Sequence, residues 1–492
     1  MANIIVGCAK YMMIILVAIY TYQCFAVFGY EDANAKKRVL KNQSRTMFLI
    51  HFMAFTGMYF KIGENKILVF YLAQVLLLLG TIWIFGKLYP KASRLIINNM
   101  CMLLTIGFIM ITRLSYDKAV KQSVIVAGSV VISLLVPVFI RRAKKLSELR
   151  VLFGFIGIVA LASVVVIGQV SGGAKLGFSI AGIGIQPSEF VKILFVFFVA
   201  ASFKRTTRFR DVFITTVAAA IHVLILVVSK DLGAALIIFA VYLVMLYVAT
   251  KQPVYAFVGI GAGSIAAVVA YYLFAHVRVR VHVWKDPFAV YDNGGYEVAQ
   301  SLFAIGTGSW FGTGLFQGKA DAIKVADEDF IFSAISEEMG LVFALCMILI
   351  CVSCYIMFLN IAMQLKNKFY KLVALGLGTC YIFQTFLNIG GVTKFIPSTG
   401  VTLPLVSYGG SSVLSTLIMF AIIQGLYILK EDEEEASERK RQQKQEKADD
   451  GQRNRNHIVG TRVRTSEQTY HDQKVKTRRR TTEKENKRPR TR

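Results

Sequence analysis

The sequence predicts an all-α polytopic membrane protein, on three observations. Its 492 residues are 55% hydrophobic, and the mean hydropathy of +0.55 exceeds what a soluble globule carries. Apolar runs of about 17–25 residues recur along the chain, each long enough to cross a bilayer as a helix. Basic residues gather in alternate loops, the pattern that sets orientation in a membrane.

Roughly thirteen runs read as spans. In order they lie near 11–29, 46–61, 67–86, 96–112, 122–140, 151–170, 188–203, 212–228, 232–249, 254–276, 330–358, 370–390 and 411–429. The basic groups fall at Lys36 to Arg45, Lys87 to Arg94, Arg141 to Arg150 (Lys144 and Lys145 included), Lys204 to Arg210, Lys366 to Lys371, and after Lys430. This alternation predicts a cytoplasmic C-terminal tail, an N-terminus outside, and outward-facing loops at 277–330 and 391–410. Loop 113–121 breaks the pattern, because Arg113, Lys118 and Lys121 make an external loop basic. No cleavable signal peptide is expected, since the first run lacks a basic leader and a small-residue cleavage site.

The seven cysteines lie in or beside apolar segments, and Cys351 and Cys354 are spaced CxxC inside a span. Without a second pair or nearby histidines this spacing reads as packing, so neither a disulfide nor a thiolate metal site is expected. Residues 431–492 change from acidic (Glu431 to Glu438) to basic (Arg478 to Arg480, Lys487, Arg488) with almost no apolar clusters, and are expected to be disordered. Much of the net charge of +26 sits there and in the cytoplasmic loops. Beside a bilayer the nearest anion is a lipid headgroup, so the membrane is the expected partner and nucleic acid is not.

Four polar clusters interrupt the apolar chain on the face assigned as external. The first runs from Gly173-Ala174-Lys175 to Gln186-Pro187-Ser188-Glu189, with Lys192 one helical turn beyond Glu189. It reads either as a buried ion pair or as the lining of a polar cavity in which Lys192 meets a phosphate. Ser229-Lys230-Asp231-Leu232-Gly233 forms the second, where Asp231 suits a helix cap.

The third cluster is the loop 277–330 itself, with Arg280, Trp284, Tyr296-Glu297 and several glycines, closing on Asp327-Glu328-Asp329-Phe330-Ile331-Phe332 ahead of Glu337-Glu338. Asp329 stands out, because a carboxylate at the mouth of a membrane bundle is costly to hold there; capping the next helix is the plainer role. The fourth, Pro397-Ser398-Thr399-Gly400-Val401-Thr402-Leu403-Pro404-Leu405-Val406-Ser407-Tyr408-Gly409-Gly410, has the composition of a non-helical re-entrant segment.

In this order and at these spacings the clusters resemble the SEDS family (FtsW, RodA, SpoVE), over roughly residues 95–430. The resemblance implies a ten-helix bundle preceded by about three additional helices in residues 1–94, and a peptidoglycan glycosyltransferase that polymerises lipid II beside a class B penicillin-binding protein in the bacterial cytoplasmic membrane. It matches the family's essential carboxylate to Asp329, the acid and base of its QPSE…K element to Glu189 and Lys192, its PDLG aspartate to Asp231, and its second-span cation to Lys121 beside Gln122.

The sequence departs from the family pattern in four places. No proline precedes the acidic run (Lys324-Val325-Ala326), Glu297 follows Tyr296 where Gln is usual, Phe178 follows Gly177, and Lys230 precedes Asp231. These departures bear on substrate contacts more than on reaction class.

Joining two lipid-linked sugars needs a base for the attacking hydroxyl, help typically worth about 10²–10⁴-fold. Asp329 is the expected base, its pKa raised by Asp327 and Glu328. The leaving diphosphate needs positive charge from Lys192, Lys121 or Arg280, or from a divalent cation, Mg or Mn, with Ser398 and Thr399 as further substrate contacts. Conversion of an α-linked diphosphate into a β1→4 bond points to inversion in one displacement. The alternative from another class is a flippase or transporter of a lipid-linked cell-wall precursor, since charged residues and broken helices at membrane depth serve transport equally well. A non-catalytic scaffold acting through its tail is a third.

Overall fold

In a computed structural model, the structure describes residues 2–143, 145–171, 174–180, 183–205 and 207–485. Lys144, Gly173, Lys487 and Arg488 lie outside the described residues. The chain divides into two units, Met1–Lys430 and Glu431–Arg492.

The first unit is a helical bundle. The additional N-terminal segment supplies α1 (Ala2–Ala26), α2 (Ala33–Ile62) and α3 (Asn65–Leu88). The body follows with α4 (Arg94–Leu114), α5 (Tyr116–Arg142), α6 (Arg150–Ile167), α7 (Pro187–Arg205), α8 (Phe209–Val228), α9 (Leu232–Thr250) and α10 (Pro253–Leu273). Two helices of the long loop come next, α11 (Ala275–Lys285) and α12 (Tyr296–Gly308), then α13 (Ile331–Met339), α14 (Leu341–Gln364), α15 (Lys368–Val392) and α16 (Gly410–Glu485).

Eleven of these helices are long and apolar enough to cross a membrane, and each overlaps a different one of the thirteen expected spans. The two others, α2 and α7, carry more charge; Glu189 and Lys192 sit within α7. Every side chain of α4 from Leu95 through Thr112 is buried, so this helix forms the centre. By contrast α10 buries none of its residues within the chain. The N-terminal helices join the body directly: α1 packs on α14, α2 on α4, and α3 on α4 and α5. Because small apolar surfaces in lipid gain little by associating, polar side chains fasten this joint. Tyr20 Oη donates to Asn99 Oδ1 (3.1 Å), Asn98 Nδ2 to Gln43 Oε1 (2.9 Å) and Ser44 Oγ to Asn98 Oδ1 (2.9 Å). All seven cysteines are free thiols.

Two expectations need correction. The run 330–358 is not one helix: Gly340, at φ +89°, breaks it between α13 and α14, a backbone conformation that costs a side-chain-bearing residue. The polar segment before α7 is extended. It forms a small antiparallel sheet of β1 (Gln169–Ser171), β2 (Ala174–Ile180) and β3 (Ile183–Ile185), order β1-β2-β3. Short hairpins add strand to an otherwise all-α fold wherever a loop pairs its own backbone.

The second correction concerns the tail, expected to be disordered. Residues 431–485 are α-helical, within α16. Lack of apolar surface denies this unit a core, but Glu, Lys, Arg and Gln are good helix formers, and pairs such as Glu435 with Arg439 (3.8 Å) stand one turn apart.

Candidate active site

The re-entrant segment between α15 and α16 is the scaffold on which the clusters meet. Asn388 of α15 donates from Nδ2 to Val401 O (2.7 Å) and to Asp329 O (2.8 Å), joining this segment to the acidic run. Ser407 Oγ donates to Glu328 O (2.5 Å), and the Tyr408 amide donates to Asp327 O (2.7 Å). Three successive acidic residues therefore have their backbone fixed by Asn388 or by the segment 401–408, leaving their carboxylates to point elsewhere.

Asp329 is half-buried at this junction. A Cβ placed on Gly400 would stand 3.3 Å from Asp329 Oδ2 and 3.7 Å from Arg280 Nη2, so the bare glycine, at φ +71°, leaves the carboxylate and the guanidinium room beside it. Arg280 is held there by donating from Nη1 to Ser398 O (2.7 Å), while Trp284, one turn further along α11, donates to Lys394 O (3.2 Å). Burial raises the Asp329 carboxyl to about 6, with Glu328 pushing the same way and Arg280 opposing. That places it in the range where a carboxylate is mostly ionised near neutrality and still a competent base.

The first two clusters meet behind the re-entrant segment. Lys192 Nζ donates to Glu189 Oε1 (2.8 Å) and to Gln384 Oε1 (2.7 Å), and Gln384 Nε2 donates to Thr402 O (3.1 Å). Ser415 donates to the other oxygen of Glu189 (2.9 Å). Lys192 is 3% exposed, so it is a buried strut tying α7 to α15, not a cation standing open to a phosphate. Asp231 caps α9 by accepting from the Ala234 amide (3.0 Å), and its other oxygen accepts from Ser188 Oγ (2.8 Å) and Gln186 Nε2 (3.2 Å). Arg280 feels the charge of both Asp231 and Asp329.

Lys121 does not join this constellation. It is exposed, and the cation that meets the acidic run is Lys118, one turn earlier on α5, whose Nζ lies 2.6 Å from Asp327 Oδ2 and 3.7 Å from Glu328 Oε1. Gln122 does engage, donating to Ser407 O (3.2 Å). Glu337 and Glu338 serve the loop: Arg113 grips Glu338 Oε1 (2.7 Å), and Glu337 Oε1 accepts from the Lys319 amide (2.7 Å).

Sequence reasoning missed Asn388 and Gln384. Their signal was present, since two amide side chains four residues apart in an apolar span share one face and need a reason to be there. Among the described residues, Asn388 Oδ1 and Thr399 Oγ1 are buried polar atoms without a protein partner beside this junction. Such atoms suit a hydroxylated ligand. Among the described residues no group of three or more His, Cys, Asp or Glu gathers that could by itself hold a metal ion.

The cell cycle protein family of FtsW, RodA and SpoVE matches residues 93–431. Peptidoglycan glycosyltransferase RodA of Mycobacterium leprae is 34% identical over 360 residues, covering 68% of this chain and 77% of the relative. Probable peptidoglycan glycosyltransferase FtsW of Aliivibrio salmonicida is 31% identical over 283 residues, 54% of this chain and 70% of the relative. The fold matches a chain of a peptidoglycan synthase complex that coordinates polymerization and crosslinking, with a TM-score of 0.59 at 22% identity, covering 69% of this chain and 98% of that one. The first 92 residues lie outside the family match.

Proposed function

The chain belongs to the FtsW, RodA and SpoVE family of cell cycle proteins, and from that premise we propose that it polymerises lipid II with Asp329 as the general base. It is an enzyme, a multi-pass membrane peptidoglycan glycosyltransferase. Asp329 takes the proton of the attacking sugar hydroxyl as the glycosidic bond forms and the bond to the lipid diphosphate breaks. Negative charge then grows on the leaving diphosphate, and Arg280, beside the carboxylate, is the cation disposed to receive it. A single displacement inverts the anomeric centre, since no second carboxylate stands as a nucleophile in the described residues around Asp329: Glu328 and Asp327 face Lys118.

The observation that carries this reading is the half-buried Asp329 carboxyl, raised to about 6, at the meeting point of the acidic run, α11 and the re-entrant segment. A class B penicillin-binding protein is the proposed partner, supported by the fold match to a chain of a synthase complex. The face carrying Asp329 is read as outside and the tail as cytoplasmic. Lys10 of α1 reaches Gly312 O (3.0 Å), so the N-terminal end shares the face of the long loop, as that topology requires. The test is polymerisation of labelled lipid II by the purified protein, read as glycan strands on a gel. Asp329→Asn should abolish strands while the protein inserts normally; synthesis above a few per cent of wild type refutes the assignment.

A further inference from the structure

We infer that the additional N-terminal segment positions the catalytic carboxylate, with Lys10 on α1 as the positioning residue acting through the loop segment 309–314. The inference takes Asp329 as the base, as proposed above.

A lysine within an apolar helix is costly unless its ammonium finds a partner. Lys10 lies within a candidate span, and its Nζ donates to Gly312 O (3.0 Å). Two further contacts flank that bond: the rings of Tyr11 and Phe311 lie 6.2 Å apart, and Val6 is close to Gly314. The outer end of α1 thus grips residues 311–314 at three points.

This segment runs alongside the end of α13. The Thr313 and Gly314 amides donate to Glu337 O and Glu338 O (each 2.8 Å), and the Leu341 and Val342 amides donate back to Ser309 O (2.9 Å) and Trp310 O (3.1 Å). Four backbone bonds make 309–314 and 337–342 one piece. The helix leading into that piece is α13, nine residues long, buried throughout, and beginning two residues after Asp329. A short helix held at one end transmits a shift of that end to the other, and interiors packed this closely move as bodies instead of deforming.

The opposite end of the strut is equally fixed. Beyond the Asn99 bond of Tyr20, Thr21 Oγ1 donates to Cys346 O on α14 (3.4 Å). Hence α1 is a post standing on α4 and α14, and Lys10 is its arm on the loop. The alternative, that Lys10 is only a lysine reaching for the membrane surface, predicts no effect on turnover.

The test uses the full-length purified protein and labelled lipid II, comparing wild type, Lys10→Ala, Lys10→Arg and Asp329→Asn, with kcat, KM and thermal unfolding measured for each. A small misplacement of a reacting group costs up to about 10²-fold. Lys10→Ala is therefore expected to lower kcat about tenfold, with KM within about twofold and the melting temperature unchanged; Lys10→Arg, which keeps a donor for Gly312 O, restores most of it. Unchanged kcat in Lys10→Ala, a loss that only tracks unfolding, or failure of Lys10→Arg to rescue overturns the inference. If Lys10→Ala does not fold, Phe311→Ala cuts the same grip from an exposed ring, and kcat within threefold of wild type overturns it. Full activity in Asp329→Asn would instead remove the base assignment, which the Lys10 variants do not test.

Discussion

Acidification should switch this enzyme off well above the pH at which an ordinary aspartate titrates. The Asp329 carboxyl moves from 3.8 to about 6, which corresponds to about 3 kcal/mol of preference for the protonated form. Only the ionised form accepts a proton, so activity is lost as pH falls through about 6. At pH 5 about one tenth of the enzyme is competent, where an unshifted aspartate would be more than about nine-tenths ionised. The assay is kcat/KM for lipid II polymerisation across pH 4.5–8, which reports groups of the free enzyme. Two variants give opposite shifts. Glu328 raises the Asp329 pKa and Arg280 lowers it, so Glu328→Gln should move the acid limb to lower pH and Arg280→Gln to higher pH. An acid limb near pH 4 in wild type, or shifts of the same sign in the two variants, would refute the reasoning.

Lys192→Ala leaves the buried Glu189 carboxylate without its cation, and unfolding in detergent should show a loss of about 3–5 kcal/mol; a loss below about 1 kcal/mol would mean that Lys192 is not the strut described. In a background lacking the native cysteines, Asn293→Cys should react with an impermeant thiol reagent in intact cells while Gln468→Cys is spared, and the reverse pattern inverts the topology. Removing residues 439–492 should leave polymerisation by the purified enzyme within about twofold of wild type, because every residue proposed for the chemistry lies in the separate unit Met1–Lys430. Loss of activity in a folded, monodisperse truncated protein would contradict that separation.

Hydropathy and charge alone marked the spans, because a segment in lipid must satisfy its own backbone and so must be a long apolar helix. Asp329 was legible for the same reason: a carboxylate amid apolar chain stands out without any knowledge of its neighbours. What the sequence did not carry was which polar groups meet. Lys118 and Lys121 are lysines three residues apart, yet only the rotation of α5 against the 401–408 segment turns Lys118 onto Asp327. Lys192 looked available to a phosphate until the packing of α7 on α15 closed Gln384 over it. The break at Gly340 and the sheet at 169–185 were hidden because each depends on backbone pairing, with 309–314 and between adjacent strands, that hydropathy does not record. Composition measures how much apolar surface a segment can bury, whereas the site is set by distances between residues as far apart in sequence as Lys10 and Gly312, and only the folded chain fixes those.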